Sequence, residues 1–274
     1  MGRTALHTLM PGSGRVAAFG VCLLLLSPTG PAMAVNDAAR DEVRVAAAMA
    51  DVSRASRARE VDAAADRLLS GELSYTHPSG FGAMPDADRI VMVGDAEAIA
   101  RVPAHGDWPD LYFFLNLDAA GVWRPTAVRA LAMPPFIRML HDALRAQASL
   151  ESDEAFMLAN VELAMRPDVA LRDWFVAHRT ILDRIAVLAR ASAPPAPAER
   201  PLVAPQVAAE LRRLHLLGGS IKGDGTLRIV IGGVQDDSVG LLHLPEGRAP
   251  PPMSRQDFIW IEPLAGGWYL FRTT

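Results

Sequence analysis

Cysteine is all but missing from this chain: the single one, Cys22, lies inside an apolar stretch near the N-terminus. A chain cut beyond that stretch has no disulfide and no thiol chemistry, so its fold must rest on a hydrophobic core. Lysine is nearly as scarce, since Lys222 is the only one among 27 basic residues. The arginines are spread along the chain rather than clustered, and the formal net charge is −4. Both facts argue against a surface that tracks nucleic-acid phosphates. No apolar run is long enough for a membrane-spanning helix, which needs about 20 residues. The HExxH, paired CxxC, calcium-loop and GxSxG patterns are also missing, and Gly12-Ser13-Gly14 lies in the N-terminal leader. Metal and cofactor sites are therefore not expected, nor is a serine nucleophile on a strand-to-helix elbow.

What is present begins with an address. Arg15 precedes the apolar residues 16–26, and the small triplet Ala32-Met33-Ala34 follows Pro28 and Pro31. That order reads as a secretory signal peptide cleaved after Ala34, with translation starting at Met1 or Met10. Cys22 has Phe19-Gly20-Val21 before it and leucines after it, which does not suit a lipoprotein anchor. Residues 1–34 contain Arg3 and Arg15 and no acid, so cleavage takes the formal charge from −4 to −6. The expected product is periplasmic or secreted, with no membrane anchor once the signal is gone.

Patterning predicts an α+β protein in which residues 35–192 form a helix-rich α+β domain. Residues 36–70 lack Gly and Pro, and Val43, Ala47, Ala50, Arg54, Val61, Ala65 and Leu68 recur near helical spacing. They read as one helix, or two with a break near 53–57. Residues 72–77 and 89–93 read as strands, and Asp95 as the cap of a helical turn through Ala100. Two strand-like runs flanking Asp118-Ala119-Ala120-Gly121 read as a hairpin. A three-helix segment follows at 136–149, 153–165 and 168–191, the last with Leu171, Trp174, Phe175, His178, Ile181, Leu182, Ile185 and Leu188 in one stripe. Residues 193–205, with five prolines, read as a semi-rigid linker. Residues 206–274 read as a short helix and a small antiparallel β region that packs on the first part.

Residues 61–70 with 73–80, and the hairpin of Phe113 to Leu117, Gly121-Val122-Trp123-Arg124-Pro125 and Val128-Arg129-Ala130-Leu131, resemble SnoaL-like members of the nuclear-transport-factor-like superfamily. The likeness covers about 40 residues. It implies a curved, cone-like antiparallel sheet wrapped by helices, a small-molecule pocket inside the cone, and a homodimer. Some members pair an Asp with a His to catalyse dehydration or isomerisation. No acid here matches as the partner of His77, so that activity is not carried over.

If residues 72–77 form a strand, Leu73, Tyr75 and His77 share a face. His77 is then the best candidate general base, being the side chain that titrates nearest neutrality. Tyr75, Tyr112, Phe114, Trp123 and Arg129 are the candidate ligand-binding residues, suited to a small apolar or aromatic ligand. His105, Asp107 and Asp110 read as turn chemistry, His178 as a core histidine, and Gly223-Asp224-Gly225 and Asp236-Asp237 as turns. Because no complete catalytic set is present, the favoured reading is an exported, non-catalytic small-molecule-binding or accessory protein. The competing readings are a cofactor-free dehydratase- or isomerase-like enzyme with His77 as base, and a protein-interaction scaffold of the cell envelope.

Overall fold

A computed structural model describes residues 31–58, 67–76, 78–105, 109–131, 134–192, 198–234 and 236–274. Residues 1–30, most of the expected signal peptide of residues 1–34, and His77 lie outside these described residues. The fold is α+β, with two antiparallel sheets, and neither closes into a barrel.

Helix α1 (Pro31–Arg57) lies across a four-stranded sheet of β1 (Arg89–Met92), β2 (Glu97–Val102), β3 (Leu111–Leu117) and β4 (Trp123–Arg129), ordered as in the chain. The helix buries Val45, Met49 and Val52, spaced four and three residues apart, against Ala100, Phe113, Leu115 and Trp123. The expected stripe was out of phase: Val43 is 69 % exposed. Alanine fills so many positions of this helix that apolar periodicity alone does not fix which face turns inward.

Two expected elements are replaced. Residues 72–76 do not form the expected strand. Gly71–Leu73 is a turn of 3-10 helix, and a second runs from Pro78 to Phe81. Gly71 enters the first at φ +57°, with its backbone so close to Thr126 that a Cβ would lie 2.9 Å from the Thr126 carbonyl oxygen. The helical turn expected from Asp95 to Ala100 is instead the start of β2, pairing with β1 and β3. Every residue of β2 after Glu97 is buried, so both faces are covered and the apolar-polar alternation that marks a strand is erased.

The β3–β4 hairpin forms where it was expected. Asp118 Oδ1 accepts hydrogen bonds from the Ala120 and Val122 amides at 2.9 and 2.8 Å, and Gly121 turns at φ +74°. Next come helices α2 (Pro135–Arg145), α3 (Ser152–Ala164) and α4 (Asp168–Ser192). Pro135 opens α2, a position where its missing N–H costs nothing.

The second sheet has six strands: β5 (Arg200–Pro201), β6 (Gly218–Ile221), β7 (Leu227–Val234), β8 (Asp237–His243), β9 (Phe258–Pro263) and β10 (Trp268–Thr273), in the order β5-β6-β7-β8-β10-β9. Helix α5 (Pro205–Arg213) precedes β6. Leu171, Phe175, Leu182 and Ile185 of α4 share one core with Leu211, Leu227, Ile229, Leu241 and Leu270. The helix before the proline-rich segment thus packs on the strands after it. His178 Nδ1 donates to the Trp174 carbonyl at 2.7 Å, and the ring stacks on that of Trp174 at 4.7 Å. At the β6–β7 corner Asp224 accepts the Thr226 amide at 2.9 Å, and this bond together with Arg248 pulls its carboxyl down to about 2.

Candidate functional site

Side chains alternate along β3. Leu111, Phe113 and Leu115 point toward α1, whereas Tyr112 and Phe114 point the other way, toward Ile259 and Trp260 of β9. The two sheets therefore meet along one face of the first, and the meeting line has three parts.

Its middle is apolar. Ile99, Tyr112, Phe114 and Ala127 pack on Ile259 and Trp260, with the Tyr112 and Trp260 rings 5.3 Å apart.

One flank is a buried ionic cluster. Asp168, the first residue of α4, is fully buried and receives hydrogen bonds from Arg272 Nε at 2.8 Å, the Tyr112 hydroxyl at 2.8 Å and Arg101 Nη1 at 3.3 Å. Glu262 of β9 accepts from Arg101 at 3.1 Å, and Arg89 and Arg172 each pair with it at 3.0 Å. Asp110, just before β3, accepts the Asp168 amide at 2.7 Å and so caps α4 from the first sheet. Burial alone would raise the Asp168 carboxyl, but Arg272, Tyr112 and Arg101 outweigh it and hold the group below the usual carboxylate range. Burial and the neighbouring Asp168 charge push Asp110 the opposite way, upward. The buried side chains of Arg101, Asp168, Glu262 and Arg272 are thus paired with one another, and Arg101 also reaches the partly exposed Asp88 at 2.7 Å.

The other flank is open. A cleft of about 280 Å³ lies between β2, β3 and residues 253–256. Its apolar side is Ile99, Phe114 and Met253, and its polar side is Glu97, Asn116 and Arg255. Arg255 Nη2 donates to Asn116 Oδ1 at 2.6 Å and to Thr126 Oγ1 at 2.7 Å, with the guanidinium 6.0 Å from the Phe114 ring centroid. The Arg255 carbonyl is held in turn by Arg129 Nε at 3.2 Å and Thr274 Oγ1 at 3.3 Å. A volume near the lower end of the roughly 300–1,000 Å³ typical of ligand sites, at a junction between packed units, suits a small molecule.

The residues singled out from sequence are not gathered in one place. Phe114 lines the cleft. Tyr112 is buried beside it, with its hydroxyl committed to Asp168. Arg129 forms a two-pronged pair with Glu72 at 2.8 and 3.2 Å and reaches the cleft only by fixing the Arg255 backbone. Trp123 lies on the opposite face of the sheet, in the α1 core, at the edge of a separate hollow of about 320 Å³ beside Arg44. Tyr75 is 100 % exposed. Residues 72–76 are not a strand, and His77 lies outside the described residues.

Sequence reasoning passed over Arg101, Glu262 and Arg272. Each interrupts or ends an apolar strand run: Ala98-Ile99-Ala100, Ile259-Trp260-Ile261 and Leu270-Phe271. A charge at the end of such a run is the signal that finds them, because it must be paired if it is buried. Glu97, Asn116 and Arg255 carry no local signal. Comparison with known protein families, with curated proteins and with solved structures returns no match.

Proposed function

We propose that this is an exported, non-catalytic binding protein that holds a small molecule in the cleft between the two sheets. The observation that carries this reading is the built character of the cleft. Its apolar floor of Ile99 and Phe114 is already buried, and its Arg255 is held by the Asn116 and Thr126 side chains. A side chain fixed in advance loses little freedom when a ligand arrives, which is how a small site gains affinity. The ionic cluster supports a binding rather than a catalytic role, because its central charges, Arg101, Asp168, Glu262 and Arg272, are committed to one another.

Methyl-labelled NMR tests the reading. Titration with a library of small amphipathic fragments should shift the Ile99 and Met253 signals first. Fragments that bind while leaving both signals unmoved would place the site elsewhere. Export has its own check: N-terminal sequencing of protein collected outside the cytoplasm should begin at Val35, and retention of Met1 or Met10 would overturn it.

A further inference from the structure

The polar wall of the cleft carries opposite charges at its two ends. Glu97, exposed on the rim at the start of β2, accepts only the Asn116 side-chain amide at 3.4 Å among the described residues. Arg255 donates to the other end of the same amide at 2.6 Å. Asn116 thus stands between a carboxylate and a guanidinium. From these contacts and the size of one amide group, the facing charged atoms are at most about 8 Å apart. An ammonium and a carboxylate on one carbon, each with a hydrogen bond of about 2.8 Å to its protein partner, span a similar distance. Beside Glu97 and Asn116 on the same sheet face, Ile99 and Phe114, with Val93 and Met253 of the cleft lining, offer an apolar surface to a side chain.

Charge balance points the same way. Behind Arg255, Glu72 lies 3.7 Å from its Nη1 and is itself paired with Arg129. Glu72 and Glu97 therefore balance Arg129 and Arg255, and the cleft region is neutral before a ligand enters. A singly charged ligand would leave one unit uncompensated in a partly desolvated site, whereas a zwitterion preserves the balance. Arg255 also keeps a donor for a ligand carboxylate, since its Nε makes no hydrogen bond among the described residues. We infer that the ligand is a free α-amino acid with an apolar side chain, its ammonium on Glu97, its carboxylate on Arg255, and its side chain between Phe114 and Met253. This inference rests on the proposed binding role of the cleft.

Isothermal titration calorimetry on the full chain provides the test, with L-leucine, L-methionine and L-phenylalanine as probes. Two analogues follow: 3-phenylpropanoate, which lacks the ammonium, and 2-phenylethylamine, which lacks the carboxylate. At least one amino acid should bind. Each phenylalanine analogue should bind about tenfold or more weaker than its parent, the scale of one charge-assisted hydrogen bond. Glu97→Gln should weaken the amino acid by a similar factor while leaving 3-phenylpropanoate unaffected. Glu97 is exposed, so this variant should fold. Ser254→Trp, which fills the mouth of the cleft, should abolish binding.

An analogue that binds as tightly as its parent overturns the zwitterion, and the cleft reading stands if Ser254→Trp still blocks that analogue. Amino-acid binding that survives Ser254→Trp overturns both. If none of the three amino acids binds, the inference fails, while the fragment titration on Ile99 and Met253 decides the cleft reading separately.

Discussion

At its middle, α4 sets Phe175, Leu182 and Ile185 among apolar side chains of β7, β8 and β10, whereas at its first residue the same helix meets Arg101, Arg272 and the Tyr112 hydroxyl. The two regions hold the molecule in different ways. Apolar packing is non-directional and accepts other side chains of similar volume, so it fixes the helix on its own sheet without demanding one angle. The Asp168 cluster is directional. Its donors come from β2, β3 and β10, and each must reach one carboxylate, so the cluster fixes where the first sheet stands relative to the second. A complete buried ionic cluster adds little net stability, because the solvation its charges lose offsets their attraction. An incomplete one is costly. The contrast implies that substitutions in the helix core lower stability in proportion to lost volume, whereas a single change at the junction leaves charges stranded.

The largest loss should come from Asp168→Asn. It strips the charge from the carboxylate that Arg101 and Arg272 share, and breaking a buried ion pair this way costs about 3–5 kcal/mol. Equilibrium denaturation in urea measures it, and a loss under about 1 kcal/mol would show that water repairs the site and that the junction is looser than its hydrogen bonds imply. The same residue sets an acid dependence. Because Asp168 lies below its ordinary range when folded, its contribution is complete above the unfolded value near pH 4 and drains away as pH falls through the folded value. Asp110, raised when folded, has the opposite sign and recovers part of that loss. The wild type should therefore lose stability below about pH 4 more steeply than Asp168→Asn does.

On the apolar side of the comparison, Leu182→Ala should cost about 2–5 kcal/mol, the range for a fully buried leucine. It should leave the acid dependence unchanged, since Leu182 touches none of the charged groups. If the slope below pH 4 moved as well, the helix core and the junction would be one cooperative unit rather than two.

Read from sequence, these regions were unequally legible. The α4 stripe was plain because Leu171, Phe175, Leu182 and Ile185 repeat at helical spacing on a helix with one solvated face. The β3–β4 hairpin was plain because Asp118 and Gly121 carry their own turn chemistry. The β2 strand was hidden by double burial, and the turn at residues 71–73 by a Gly71 conformation that answers to Thr126, more than 50 positions away. The inward face of α1 was blurred by alanine. As for the cleft, Phe114 was legible as an aromatic on a strand, but Asn116 and Arg255 are 139 positions apart and meet only because β3 and the chain before β9 face each other. No local pattern records such a meeting.

Tyr112→Phe sharpens the comparison from inside the junction. The ring keeps its packing on Trp260, and only the hydroxyl bond to Asp168 is lost. Arg101 and Arg272 remain on the carboxylate, so the cost should be about 1.5 kcal/mol, the lower end for a hydrogen bond to a charge. A cost equal to that of Asp168→Asn would mean that the phenol, rather than the arginines, keeps the buried carboxylate satisfied.

The smallest effect belongs to Tyr75, which lies in neither region. It follows the short helical turn at residues 71–73 and is fully exposed. Its ring buries nothing on folding, so Tyr75→Ala should change unfolding stability by less than about 0.5 kcal/mol, the scatter of ordinary surface substitutions. It should also leave the acid dependence and the cleft untouched, because no group of either lies against it. A loss above about 1 kcal/mol in urea denaturation would require the ring to pack in solution. In that case residues 72–77 would lie against the sheet as the strand pattern first implied, and Tyr75 and His77 would again be joint candidates for a site. The substitution thus decides whether this segment belongs to the surface or to the first sheet.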